Sequence, residues 1–213
     1  MHVGNSEPTG RTQASRSART RAALLESAAR GLSRHGYGNL VLEQVAKEAG
    51  YTRGALYHQF KDKQELTLAV LDWVLGAWQD EVGVHVERET QPVEALLTLA
   101  RRHAVFCRRE FARVAFAIRL EFTGQDHPIG RAIELAYAIL TRTCRELIET
   151  ARDMGVLPDG PPADVHATAF VGAVEGVTIA LAGREPHDER LVERAAAGVL
   201  GVEIPDPYTE ATR

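Results

Sequence analysis

The 213-residue sequence lacks most of the features that mark specialised protein classes. Its two cysteines, Cys107 and Cys144, fall inside helical patterns without CxxC spacing, which argues against a disulfide framework and against a zinc knuckle. No apolar run reaches the ~18 residues of a membrane span. The first twenty residues, MHVGNSEPTGRTQASRSART, have no apolar block and do not read as a secretory signal. There is no GxSxG elbow, no phosphate-cradling glycine loop and no HExxH pair, and the carboxylates do not pair inside apolar helices; nothing points to catalysis or to a cofactor. Strand alternation, repeats and low-complexity tracts are missing between residues 17 and 202. The expectation is a soluble, cytoplasmic, all-α protein.

What is present is unevenly distributed. The chain carries a net charge of -4, yet residues 1–66 hold ten Lys and Arg against six acids, a head of +4 on a body of -8. A basic head suggests a polyanionic partner for that part alone.

Apolar spacing supplies the elements. Residues 1 to about 15 have almost nothing to bury and are expected to be a disordered basic arm, bounded here at 1–16. Leu25, Ala28, Ala29 and Leu32 make one stripe of a helix from about Ser17 to His35, ended by Gly36. Leu42, Val45, Ala46 and Ala49 repeat the spacing until Gly50, and a third short helix starts at Thr52, a hydroxyl cap, and runs to Phe60. Asp62 and Glu65 form a capping-box-like pair that opens a pattern reaching Glu89, with Gly76 and Gly83 as weak points. A helix of that length spans about 40 Å, enough to join two domains mechanically. Further helices are expected from Pro92 to about Arg108, Glu110 to about Phe122, Pro128 to about Met154, Pro162 to Ala182 and His187 to Leu200.

Two short helices meeting at Ala49-Gly50-Tyr51-Thr52 read as a helix-turn-helix or as an αα-hairpin in a larger core. The outward residues of the second helix favour the former: Thr52, Arg53, Ala55, Tyr57 and His58 suit phosphate and base-edge contacts, and Gly54 allows close backbone approach. The stretch RAALLESAARGLSRHGYGNLVLEQVAKEAGYTRGALYHQFKDKQELTLAVL, residues 21–71, resembles the N-terminal domain of TetR-like transcriptional regulators. Its most specific parts are Gly36-Tyr37, the run Val45 to Gly50 and the run Arg53 to Phe60, closed by Lys63 and Leu66.

The resemblance implies a homodimer that binds a double-stranded DNA operator through residues 17–66 and a small-molecule effector through a helical body, 67–213. By position it places Arg53, Gly54 and Ala55 at the bases and Thr52, Tyr57, His58 and Lys63 at phosphates. Val41 and Ala55 stand where the family often has Thr or Ser and favours Thr, so a cap at the second helix is missing unless Asn39 supplies it. Arg11, Arg16, Arg19 and Arg21 could reach a minor groove or flanking phosphates; a solvated tail is the alternative.

For the body, the resemblance implies a cavity among the long helix and the next three or four. Candidate lining residues are Trp73, Trp78, Phe106, Phe116, Phe122 and Tyr137, with His103, Arg119 and Glu175 as polar groups, although aromatics at helical spacing also serve as core. Glu175, alone in an apolar run, needs a partner: an Arg such as Arg190 or Arg194, which is preferred, or a cationic ligand. His103 and Cys107 stand at i and i+4, but without a third ligand a packed pair is expected rather than a metal. Thr168, Ala169, Gly172, Ala173, Gly176 and Ala180 offer a small-residue surface suited to dimerisation or to an internal seam. The two functional readings are a ligand-responsive dimeric regulator, a repressor whose palindromic half-sites lie about 34 to 36 Å or a multiple apart, and a helical adaptor or ligand-binding protein that no longer reads DNA.

Overall fold

The computed structural model describes residues 9–181, 184–185 and 187–204, with side chains from Gln13 onward. Among the described residues there is no strand, and no helix is long and apolar enough to cross a membrane.

Helix α1 (Thr9–His35) starts earlier than its apolar stripe predicts. Residues 1–8 of the expected arm lie outside the described residues, but 9–16 are helical rather than disordered. Arg, Gln and Ala propagate a helix once a buried nucleus exists. That nucleus is Leu24, Leu25, Ala28, Ala29 and Leu32, all buried.

Gly36 ends α1 at φ +72°, a conformation costly for any residue with a Cβ. Helix α2 (Leu42–Glu48) closes with a Schellman motif: the Gly50 N–H donates to Lys47 O (3.0 Å) and the Tyr51 N–H to Ala46 O (2.9 Å), with Gly50 at φ +79°. Val41 provides no side-chain cap. The expectation that Asn39 would replace it fails, because its amide turns back and donates to His35 O at the end of α1 (3.1 Å). Helix α3 (Arg53–Gln59) is capped as expected, Thr52 Oγ1 accepting from the Ala55 N–H (3.2 Å). Leu56 and Phe60 enter the core, and the buried Ser27 hydroxyl donates to Val45 O (3.0 Å), joining α1 to α2.

The Asp62 carboxylate accepts from the Glu65 N–H (2.8 Å) and Glu65 accepts from the Lys61 N–H (2.8 Å), a capping box displaced by one residue. The long rod that follows is α4 (Lys63–Trp78), a π-helical turn (Gln79–Gly83) and α5 (Val84–Arg88). The distortion closes at Gly83, one of the two expected weak points, where the Gln79 carboxamide occupies the place a Cβ would need.

The body comprises α6 (Pro92–Phe106), a 3-10 turn (Glu110–Arg113), α7 (Val114–Phe122), α8 (Pro128–Asp153), α9 (Ala163–Ala180) and α10 (His187–Leu200). Helix α8 packs on α9, and α10 on α9 and α6. Buried Ile118, Ile133, Ile148, Phe170, Val174 and Val192 fill the spaces; each contributes on the order of 1.5–3 kcal/mol by leaving water. Two polar ties set the register. His166 Nδ1 faces an Arg152 guanidinium nitrogen (3.0 Å) and its Nε2 faces Val199 O (2.8 Å), linking α8, α9 and α10. The buried Asp188 takes a bidentate contact from Arg108 (2.9 and 2.8 Å), which holds its carboxyl below the usual range.

Candidate functional site

Three regions combine exposed or cavity-facing chemistry: the outer face of α3, a cavity inside the body, and the joint between them.

On α3, Thr52, Arg53, Gly54, Tyr57 and His58 are exposed and Ala55 is half-buried, so six of the seven residues expected at DNA share one accessible helix and its cap. Arg53 lies over the Tyr57 ring (5.3 Å) and bridges Glu43 on α2 (2.6 Å), both ends of that bridge being open to solvent. The seventh, Lys63, sits differently. Its ammonium donates to Gly38 O (3.0 Å), stands 4.6 Å from the Tyr37 ring centre and titrates below its ordinary range because burial disfavours the charge. It belongs to the joint as much as to the exposed surface.

The basic residues ahead of the motif also divide. Arg16 and Arg19 are exposed on α1, whereas Arg21 lies over Phe60 (4.4 Å) and donates to Gln59 O (3.4 Å), so it fastens α1 to α3. Helix α1 carries their backbone; the side chain of Arg11 lies outside the described residues.

In the body an apolar chamber of about 290 Å³ lies between the α4–α5 rod, α6, α7, α8 and α9. Trp78, His103, Tyr137 and Glu175 line it as expected, together with Leu75, Gln79, Val86, Leu99, Ile133 and Leu140. The Trp78 indole donates to His103 Nδ1 (3.1 Å), so the other ring nitrogen carries the proton of the neutral form and faces Cys107 Sγ (3.5 Å). Enclosure lowers the His103 pKa to about 4 and pushes the Cys107 thiol up to about 12. No group of three metal-ligating side chains occurs among the described residues.

A second, more open cavity of about 630 Å³ shares Tyr137 and Glu175 with the chamber and adds Phe116, Arg119, Phe122, Arg131 and Glu134. At the shared wall Arg119 lies 3.7 Å over the Tyr137 ring, 3.3 Å from Glu134 and 3.4 Å from Glu175. An arginine does meet Glu175, but it comes from α7 and not from α10, where Arg190 and Arg194 were expected to supply it. The long Arg119 side chain reaches from α7 to α9, a contact that periodicity along one helix cannot reveal. Burial raises the pKa of Glu175, opposed by the Tyr137 hydroxyl and by Arg119, and burial likewise raises that of Tyr137.

Two expected lining residues are core instead. Trp73, on α4, packs on Phe111 (4.9 Å between ring centres) and Phe106, at the end of α6, meets the same ring edge-on (6.0 Å); neither borders either cavity, because both face the 3-10 segment.

The joint was not foreseen. Glu121, on α7, accepts from the N–H groups of Tyr37 (2.5 Å) and Gly38 (2.7 Å) in the turn between α1 and α2. A Cβ on Gly36 would stand 2.7 Å from Glu121 Oε2, so glycine there serves the approach as well as the turn. Tyr37 packs edge-on against Phe122 (5.3 Å), which stacks on His127 (4.6 Å), and Arg34 on α1 forms a forked ion pair with Glu110. Phe122 and Arg119 both line the open cavity, so the helix that grips the head is also a cavity wall.

Among the described residues an exposed helix-turn-helix stands at one end and a hollow helical body at the other. Residues 24–70 match the family model described as bacterial regulatory proteins, tetR family, over the helix-turn-helix and the start of the rod that follows it. It is 26 % identical over 168 residues to the A-factor receptor protein of Streptomyces griseus, a match covering 77 % of this chain and 55 % of that protein. The chain thus spans about half the length of that relative. Over 53 residues it is 43 % identical to the regulator TtgR of Pseudomonas putida, a quarter of each chain (25 %). In solved structures the same fold appears in AibR, crystallised with isovaleryl coenzyme A and operator DNA (TM-score 0.73, 22 % identity, 86 % of this chain and 100 % of that one). It appears also in MbdR of Azoarcus sp. CIB (TM-score 0.72, 19 % identity, 87 % and 100 %).

Proposed function

We propose that the protein is a dimeric, effector-responsive transcriptional repressor of the cytoplasm, binding a palindromic operator through α3. The observation that carries this reading is the continuous route from cavity to reading helix: α7 lines the cavity with Arg119 and Phe122 and holds the α1–α2 turn with Glu121. Arg53, Gly54 and Ala55 face the bases, while Thr52, Tyr57, His58 and the remaining donors of Lys63 take phosphates. The head is 17–66 and the body 67–213. Effector enters among Trp78, His103, Tyr137 and Glu175, with Phe116, Arg119 and Phe122 at the entrance. A ligand that favours one position of α7 over another changes the separation of the two heads and weakens operator binding, since coupling is differential affinity between states.

Support for the dimer comes from α9, whose exposed Val165, Thr168, Ala169, Gly172, Gly176 and Ile179 fall on one face. A Cβ on Gly172 or Gly176 would meet nothing within 4 Å, so this face can take another helix at close range. Two copies across it present two α3 helices to a twofold site.

The test is a mobility shift on the DNA upstream of the protein's own gene, with an unbiased sequence selection beside it. Wild type should show a palindromic preference that Tyr57→Ala abolishes. Absence of sequence preference in both assays, with Tyr57→Ala unchanged, would leave a helical ligand-binding protein in place of a repressor.

A further inference from the structure

The charge around the chamber identifies the class of molecule it takes, an inference that rests on the effector-responsive reading above. Apolar walls from Leu75, Trp78, Val86, Leu99, Ile133 and Leu140 enclose most of the chamber, and its only ionisable lining groups besides Tyr137 are His103, Glu87 and Glu175. His103 is neutral, its Nδ1 occupied by Trp78. Glu87 lies at the exposed end and accepts from Gln79 Nε2 (2.7 Å). Among the described residues no Lys or Arg lines the chamber. Arg119, outside the chamber on its entrance side, serves two carboxylates at once, Glu134 and Glu175, at 3.3 and 3.4 Å. Those distances are longer than the ~2.7–2.9 Å of a strong charge-assisted bond.

Glu175 is therefore under-supplied. A carboxylate offers about four acceptor positions; Arg119 uses one, at 3.4 Å, and the Tyr137 hydroxyl stands close enough to compete for a second. We propose that the chamber binds an apolar molecule bearing one amine or ammonium group, the cation seated against Glu175 and the apolar part against Trp78 and Leu99. An anionic head group would lie beside Glu175 or Glu87 with only neutral donors such as Gln79 and Thr143 to face it, which offset less of the cost than a cation would.

The probes are 4-phenylbutylamine, 4-phenylbutanol and 4-phenylbutyrate, which share one apolar frame and differ only in head-group charge. Titration calorimetry on the full chain should give the order amine, alcohol, carboxylate, with the amine about tenfold or more tighter than the alcohol. Glu175→Gln, which keeps the side-chain volume, should bring amine and alcohol to within about threefold of each other. Any other order, an amine preference retained by Glu175→Gln, or no binding of any of the three overturns the inference. Should Glu175→Gln fail to fold, Tyr137→Phe removes the competing hydroxyl and must sharpen the amine preference; a weakened preference also overturns it. Operator binding is measured in the same samples. An amine that binds through Glu175 without changing the mobility shift defeats the repressor reading and leaves the chamber assignment intact.

Discussion

Replacing Glu121 by Ala removes the side chain that, among the described residues, holds the α1–α2 turn from the body through its amides. Each bond from a carboxylate to a backbone N–H contributes roughly 1.5–3 kcal/mol when shielded. The Gly38 side of the joint is exposed and Glu121 half-buried, so water replaces part of the loss, and about 2 kcal/mol for the pair is the reasonable figure. Because Arg34–Glu110 and the Tyr37–Phe122–His127 stack remain, the head stays docked and the effect is local. Hydrogen exchange reads it directly: about 2 kcal/mol corresponds to roughly 30-fold faster exchange at the Tyr37 and Gly38 amides. Amides of α3 and of α8 should change by much less. Glu121→Gln, whose single carbonyl can still accept one of the two bonds, should fall between. Unchanged exchange at residues 37 and 38, or a uniform rise over the whole chain, would show that the clamp is not what holds the turn. If the turn is the route from cavity to head, Glu121→Ala also binds DNA and ligand while responding less to one in the presence of the other.

Asp188→Asn leaves Arg108 without its bidentate partner and should cost roughly 1.5–3 kcal/mol in urea unfolding, Glu185 and Glu189 lying close enough to Arg108 to absorb part of the loss. His103 is held neutral in the fold with a pKa near 4, against 6.5 when unfolded. Its contribution is therefore complete above pH 6.5 and lost as pH falls toward 4, because the unfolded chain binds the proton first. The stability difference between wild type and His103→Gln should shrink by on the order of 1 kcal/mol per pH unit across that window; a flat difference would mean that the ring is not kept uncharged. Ile179→Glu, at the end of the exposed α9 face, should convert the proposed dimer to monomers in light scattering and reduce operator affinity, whereas an unchanged mass would move the proposed interface elsewhere.

The helices were legible because their signals are local. Leu25, Ala28, Ala29 and Leu32 do lie inward, Gly36 and Gly50 do take positive φ, and Thr52 and Asp62 do cap. The face of α3 could be read for the same reason, since a seven-residue helix with Leu56 inward leaves few choices for Arg53 and Tyr57. The body resisted because its contacts depend on how helices cross. Nothing in the sequence near Glu121 sets it apart from other surface acids; only the fold brings it to an amide pair 83 and 84 residues away. Glu175 was recognisable as a carboxylate in need of a partner, but Arg119 reaches it from 56 residues upstream on another helix. Trp73 and Trp78 carry the same side chain five positions apart, and only the chamber's position distinguishes the one that lines it.

The π-helical turn at Gln79–Gly83 has a consequence for how such a molecule can change over time. A π turn is an α-helix with one extra residue, and one residue is a rotation of about 100°. The rod from Lys63 to Arg88 thus contains a phase slip: the half that bears the head keeps its own facing, Leu75 and Trp78 included, while the half that adds Val86 and Glu87 to the chamber is turned by a quarter or so of a circle. Insertions and deletions within Gln79–Gly83 can change which α5 side chains join Leu75 and Trp78 at the chamber without disturbing the aim of α3. A lineage could retune what it senses and leave what it regulates untouched.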